Sequence, residues 1–400
     1  MASPTSSSPF SRAVVNAMRK LYPESLADKS FDNTGLLLEA PFDPIRRQMN
    51  SALLTIDLTK AVADEAIERN DSIIVAYRIK DPIIFRGLKS LTLGDTQQKT
   101  LLRLAAEGIS VYSPHTAVDC APGGLGDWLA DIVTGTPTTV SSIPSEVSTE
   151  DSKSTTSKEK APTTPPQSSV DDDPFTDSVP KRPTYMLQHH PSQLAVNDRD
   201  RERALQLSAA KHTRKPIVPS SVPGYDKDSA GMGRIVRFAT PQSLVSIIDR
   251  IGLGLGNPKG FPIAVPQGKS IDEIRISSVA ICAGSGGGVF SSLGKSGQDD
   301  VDLLFTGELS HHEALAAIEQ GKCVITLFHS NTERGFLSSV LKGQLEKTVG
   351  EEWTKLRAEE LETGTNADDF AEVLADEGIE IHVSEVDRDP YGIVINKEEI

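Results

Sequence analysis

Cysteine is scarce in this 400-residue chain: Cys120, Cys282 and Cys323 are the whole set, with no paired spacing. That excludes a disulfide framework and a cysteine zinc site, and it points to a reducing compartment. No apolar run approaches the roughly 18 residues of a membrane span. Positive charge is also short, with 41 Lys and Arg against 56 Asp and Glu and a net charge of −15. No global basic field is therefore available to draw in nucleic acid or an anionic membrane, and direct binding to either is not expected. The Ser-rich start, with Arg12, Arg19 and Lys20, resembles a transit peptide only faintly. Apolar residues from Phe10 to Tyr22 follow helical spacing and are assigned to the fold. The cytosol is the expected compartment, with nuclear or mitochondrial pools compatible with it.

Regular patterning is missing from residues 136–229, a Ser-, Thr- and Pro-rich stretch with charge runs such as Asp171-Asp-Asp-Pro174. Twelve of the chain's 25 prolines fall there, too many for regular structure throughout. Such a segment buries too little apolar surface to offset its ordering entropy. It is expected to be a disordered insert, with a short helix around Asp198 to Lys211. On either side, strand-like and helix-like runs alternate, which argues for a layered α/β architecture. Residues 1–135 form an expected N-terminal lobe, with strands at Ala52–Ile56, Ser72–Ala76 and Ile109–Tyr112. Residues 230–400 form an expected C-terminal lobe, with strands at Ile276–Cys282, Asp302–Phe305, Val324–Phe328 and Ile379–Val383. Two lobes of similar style are expected to face each other across a cleft.

Chemistry concentrates at strand ends. Val324–Phe328 runs into His329, and Glu333 follows four positions later at a helix start, so both side chains share one face of one turn. Imidazole plus carboxylate is a ligand mix for zinc, iron or manganese. His115 and Asp119 repeat this spacing after Pro114; the alternative is a hydrogen-bonded turn at a helix start. Together the pairs are positioned to assemble a shared site at the carboxyl ends of strands, where open α/β sheets bind ligands. Gly284-Ser-Gly-Gly-Gly288 is either a phosphate cradle or a tight turn beside the site, and it lacks the P-loop Lys-Ser/Thr. His311-His312, capped by Ser310, is either a site edge or plain surface. His189-His190-Pro191 lies in the insert and is set aside, and Cys282 and Cys323 are read as packing.

Phe31-Asp-Asn-Thr-Gly-Leu36, His115-Thr-Ala-Val-Asp119, Thr306-Gly-Glu-Leu-Ser-His-His312, His329-Ser-Asn-Thr-Glu-Arg-Gly-Phe-Leu337 and Ser384-Glu-Val-Asp-Arg-Asp-Pro390 occur in that order. As an ordered set they resemble the Nif-three-like family (Ngg-one-interacting factor three), whose bacterial members carry the label GTP cyclohydrolase 1 type 2 homologues. The C-terminal part is similar to the animal and fungal branch. The resemblance implies a two-lobed α/β fold with a dinuclear divalent-metal site in the inter-lobe cleft, and ring-shaped homo-oligomers, hexameric in bacterial members. It places metal ligands on Asp119, His329 and Glu333, with Glu333 or Asp119 as the catalytic group that orients or deprotonates water. A metal-dependent hydrolase of a nucleotide-like or phosphorylated small molecule is one implied function. The alternative is a non-enzymatic homo-oligomeric regulator or scaffold associated with transcription factors, with partners bound through the insert and a degenerate metal site. One departure bears on the choice. Where the family has Tyr-His-Pro, this chain has Tyr77-Arg-Ile-Lys-Asp-Pro82. The histidine is absent, Arg78 repels a cation, and Asp81 is the available substitute carboxylate. One ion, or a weakened pair, is the expected content per subunit.

Overall fold

The computed structural model describes residues 7–43, 48–78, 90–136, 185–190, 209–363 and 367–396. Strands β1 (Gly35–Leu38), β2 (Ser51–Asp57), β3 (Ile73–Arg78), β4 (Ser110–Ser113) and β14 (Glu380–Val383) form one sheet, in the order β1-β4-β3-β2-β14. Strands β6 (His212–Lys215), β9 (Arg234–Ser243), β10 (Ile263–Ala264), β11 (Arg275–Ser285), β12 (Leu303–Glu308) and β13 (Cys323–Thr326) form a second, in the order β10-β13-β12-β11-β9-β6. Each has a parallel centre: β14, β2, β3 and β4 in the first, and β11, β12 and β13 in the second. Antiparallel strands close the other margins, while β14 ends the first sheet in parallel. The unbroken apolar runs of β2 and β3 fit this placement, since central parallel strands are covered on both faces.

The period-two alternation of strand side chains assigns those faces. Leu53 and Ile74 pack outward against Val62 of helix α2 (Lys60–Arg69) and Leu101 and Leu104 of α3 (Thr96–Ala106). Their neighbours Leu54, Ile56 and Val75 turn the other way, into a core shared with Val279, Phe305 and Ile325 of the second sheet. On that sheet's far face, Ala280, Leu304 and Val324 meet Phe290 of α7 (Gly287–Lys295) and Ala317 of α8 (His311–Glu319). Helices also enter the shared core. Phe10 of α1 (Pro9–Leu21) meets Trp353 of α10 (Lys342–Thr363) edge-on at 5.7 Å. Phe336 ends α9 (Asn331–Phe336) and stands edge-on to Tyr22 and to Trp128 of α5 (Leu125–Thr134). A π-helical turn, Leu337–Leu341, joins α9 to α10, a distortion often found beside functional sites.

Helix starts follow their caps. Thr59 accepts from Val62 N, Asp95 from Gln97 N and Gln98 N, and Ser310 forms a reciprocal capping box with Glu313. The charged stretch before β14 carries α10 and α11 (Ala367–Ala375).

Two boundaries differ from expectation. Residues 209–229, placed by composition in the insert, belong partly to the sheet: β6 pairs with β9, and Arg214 Nη2 donates to Asp131 Oδ1 at 2.6 Å. A short, charged edge strand has no apolar periodicity to announce it. The strand β14, placed by chain order with the C-terminal lobe, pairs with β2 of the first sheet. Apart from residues 136 and 185–190, the rest of the expected insert, including the helix at 198–211 up to residue 208, lies outside the described residues. A second compact unit, residues 141–188 and 394–400, is described only at 185–188 and 394–396. Those residues belong to β5 (Tyr185–His189) and β15 (Gly392–Asn396), which pair as a two-stranded sheet.

Among the described residues, the most deeply buried cation is Arg234, 1% exposed at the start of β9. Its Nε and Nη2 donate to Asp127 Oδ1 and Oδ2 at 2.8 and 2.9 Å, and its Nη1 to the carbonyls of Gly231 and Gly233. This fork fastens β9 to α5. Arg234→Met leaves Asp127 with only the longer Arg214 contact at 3.7 Å as a compensating cation and should cost about 3–5 kcal/mol. Urea midpoints should show that loss, and a second change, Asp127→Asn, should return part of it. A midpoint unchanged by Arg234→Met would refute the fastening role.

Candidate functional site

The parallel strands of both sheets end at one cavity of about 1040 Å³. Asp57 ends β2, Tyr77 and Arg78 end β3, Glu308 ends β12, and His329 follows β13. His115 and Asp119 come from the turn after β4 and from the short helix α4 (Thr116–Cys120). Asp119, His329 and Glu333, the ligands that the resemblance implies, all line this cavity. They come from segments more than 200 residues apart in sequence.

Two turns aim the side chains. Phe328, just before His329, and His115 both have positive φ, 65° and 32°, in non-glycine residues. Such backbone costs about 1–3 kcal/mol each and persists where the surroundings over-determine it. The surroundings do so for His329. Ser330 N and Oγ donate to Asp389 Oδ2 at 3.0 and 2.8 Å, and Arg334 pairs with Asp387, whose Oδ2 also accepts from Ile56 N. The segment Ser384–Pro390 thus clasps the start of α9 to β2. From the other side comes Gly284, with φ +60°; a Cβ there would lie 2.6 Å from His329 Nε2 and 2.7 Å from Glu333 Oε1. Gly284 is therefore a close-packed turn position against these two side chains.

At the centre stands Arg78. Its Nε donates to Asp57 Oδ1 at 2.9 Å, its Nη1 contacts His329 Nε2, and its Nη2 lies 3.8 Å from Glu333 Oε2. Burial works to lower its pKa, but Glu333 and Asp57 outweigh this and raise it, so the guanidinium is charged. His329 is pushed below its ordinary pKa by burial and by Arg78. A neutral imidazole that accepts at Nε2 carries its proton on Nδ1, which faces Glu308 Oε2 at 3.1 Å. Burial lifts Glu333 to about 8 despite the nearby guanidinium, with Asp119 and Asp57 adding to the rise. Glu333 is 3% exposed, and its Oε2 has no hydrogen-bond partner. Asp119, raised to about 6 mainly by burial, accepts from Tyr77 Oη at 2.5 Å.

His115 is turned toward Asp32, its Nδ1 2.7 Å from Oδ1, while Thr116 N donates to Asp32 Oδ2 at 3.1 Å. It serves the hydrogen-bonded turn at the helix start and also lines the cavity. His311 and His312 are exposed on α8. His189, set aside with the insert, lines the cavity. Asp81 lies outside the described residues. Asp57 and Glu308 drew no ligand role from sequence; their one signal is that each ends a strand.

A divalent ion held by Asp119, His329 and Glu333 does not fit this arrangement. Among the described residues, no group of three His, Cys, Asp or Glu side chains is placed to hold a metal. The guanidinium stands against His329 Nε2, the nitrogen a metal would need, and Asp119 is engaged by Tyr77. Glu333 Oε2, 3.8 Å from Arg78 Nη2, has no hydrogen-bond partner.

Asp32 carries a pH signature. Burial favours its neutral form, but hydrogen bonds and charge from His115 and Thr116 outweigh that and hold its pKa below the ordinary value. A depressed carboxyl contributes stability above its unfolded pKa of about 3.9 and loses it as pH falls through the folded value. Asp32→Asn should be less stable than the natural protein near neutrality, and the gap should narrow below about pH 4. Urea midpoints at neutral and acid pH measure this; a gap of constant size would rule out the clasp.

Residues 11–367 match the family described as Duf34/NIF3 (NGG1p interacting factor 3). A Schizosaccharomyces pombe protein named NIF3 homolog is 36% identical over 344 residues, 86% of this chain and 91% of its own. The Saccharomyces cerevisiae protein named NGG1-interacting factor 3 is 32% identical over 385 residues, 95% and 96% of the two chains. Among solved structures, a Bacillus cereus protein related to NIF3 superposes with a TM-score of 0.53 at 18% identity, covering 95% of this chain and 98% of its own, a likeness of fold alone. With the family match and relatives of this identity spanning nearly the whole chain, this protein belongs to the DUF34/NIF3 family.

Proposed function

We propose that this chain is a protein-binding regulator of the DUF34/NIF3 family, and that the strand-end cavity is neutralised by Arg78 in place of a catalytic metal. The observation that carries the reading is the guanidinium set against Asp57 and His329 beside Glu333. An arginine in that position repels a second cation and engages the donors a metal would require. The name of the Saccharomyces cerevisiae relative supports a protein partner, the host's counterpart of NGG1. Self-association into a homo-oligomer belongs to the same reading and rests on the family resemblance. A second reading is favoured by the orphaned Glu333 Oε2: a metal-dependent hydrolase of a nucleotide-like or phosphorylated small molecule, with zinc, iron or manganese in the cavity.

One preparation separates the two. Protein purified without chelators should hold well under one divalent ion per subunit, show no hydrolysis of a nucleotide panel above blank, and retain the NGG1 counterpart on co-precipitation. Glu333→Gln, which keeps the side-chain shape, should leave that association unchanged. One or two ions per subunit, together with hydrolysis abolished by Glu333→Gln, would overturn the regulator reading and establish the hydrolase.

A further inference from the structure

We infer that the strand ends form a receptor for a planar cation, that the Arg78 side chain is its built-in ligand, and that removing this side chain creates a binding site for free guanidinium. The inference rests on the reading of the cavity as arginine-neutralised. Three groups surround the guanidinium from three directions: Asp57 Oδ1 on Nε, His329 Nε2 on Nη1, and Glu333 Oε2 facing Nη2 at 3.8 Å. A rigid planar fork with five N–H donors matches this spread, whereas a compact ammonium reaches only part of it. The receptor does not depend on Arg78 for its shape. Asp57 is fixed as the last residue of β2, paired in register with position 78. His329 is held by Glu308 on Nδ1, and the start of α9 by Asp389 through Ser330. Gly284 packs against His329 Nε2 and Glu333 Oε1 and limits their retreat. Glu333 Oε2 is a buried acceptor with no hydrogen bond of its own, aimed at the guanidinium.

The test is rescue of Arg78→Ala. Its Tm should fall relative to the natural protein, and low-millimolar guanidinium chloride should raise it by on the order of 2 °C against matched sodium chloride. The natural protein, its receptor filled, should show no rise. Methylammonium should rescue less, and adding Asp57→Asn to Arg78→Ala should abolish the rescue. If Arg78→Ala does not fold, its refolding yield with and without low-millimolar guanidinium makes the same comparison. Arg78→Lys supplies a charged, foldable control that should melt below the natural protein. A folded Arg78→Ala indifferent to guanidinium, or an equal response in the natural protein, would overturn the inference. Stronger stabilisation by zinc or manganese than by guanidinium would overturn it too, showing a metal site that arginine blocks. These melts need no protein partner, so a failed co-precipitation with the NGG1 counterpart would sink the regulator reading and leave this inference standing.

Discussion

The contact between Arg78 and the strand-end acceptors, set in a buried pocket, orders the charges of Asp57, His329 and Glu333. Burial, reinforced by the fixed positive charge of Arg78, favours the neutral imidazole of His329, which has one nitrogen to accept and one to donate. The accepting nitrogen faces the guanidinium and the other faces Glu308, so the tautomer follows from the arginine. The same charge leaves Glu333 with a pKa lifted to about 8, because burial outweighs an interaction across 3.8 Å. In this state Arg78 is balanced chiefly by Asp57, and Glu333 near neutrality is a buried acid whose Oε2 lacks a hydrogen bond. A divalent ion would need the opposite pattern, with carboxylates ionised and imidazole nitrogen free.

This arrangement holds only if two chain segments far apart in sequence are welded together. The strand β14 adds to β2 in parallel, and the next residues place Asp387 on Ile56 N and on Arg334, and Asp389 on Ser330. The C-terminal segment thus ties β2 of the first sheet to the helix that carries Glu333. Arg334 and Asp387 are both nearly inaccessible to solvent. Burying such a pair is repaid only by good geometry, and removing one partner is far costlier than never having the pair. Together with the positive-φ turn at Phe328, these contacts explain why His329 and Glu333 stay at the cavity wall.

Much of this was legible in the sequence, and the gaps have physical reasons. The parallel strands announce themselves as short apolar runs, and helix starts are marked by Thr59, Asp95 and Ser310. The His329–Glu333 spacing identifies one turn of helix wherever the chain folds, because its geometry is local. Arg78 was visible as a departure from Tyr-His-Pro, but its pairing with Asp57 was not, because it follows from the register of β2 against β3. Register depends on which strands become neighbours, and nothing within either strand encodes that choice. The strand β6 was hidden for a related reason: His212-Thr-Arg-Lys215 is polar throughout and gains its place from β9 and from Asp131. Composition alone assigned it to the insert.

Position 78 links the two kinds of information. The end of β3 lies at the cavity, where both Tyr77 and Arg78 line the wall. A histidine there would offer a nitrogen to a metal. An arginine there reaches farther, across to Asp57, His329 and the edge of Glu333, and brings its own positive charge. The fold therefore supplies a fixed ring of acceptors, and the side chain at one strand end decides whether the cation among them is bound from solution or carried by the chain.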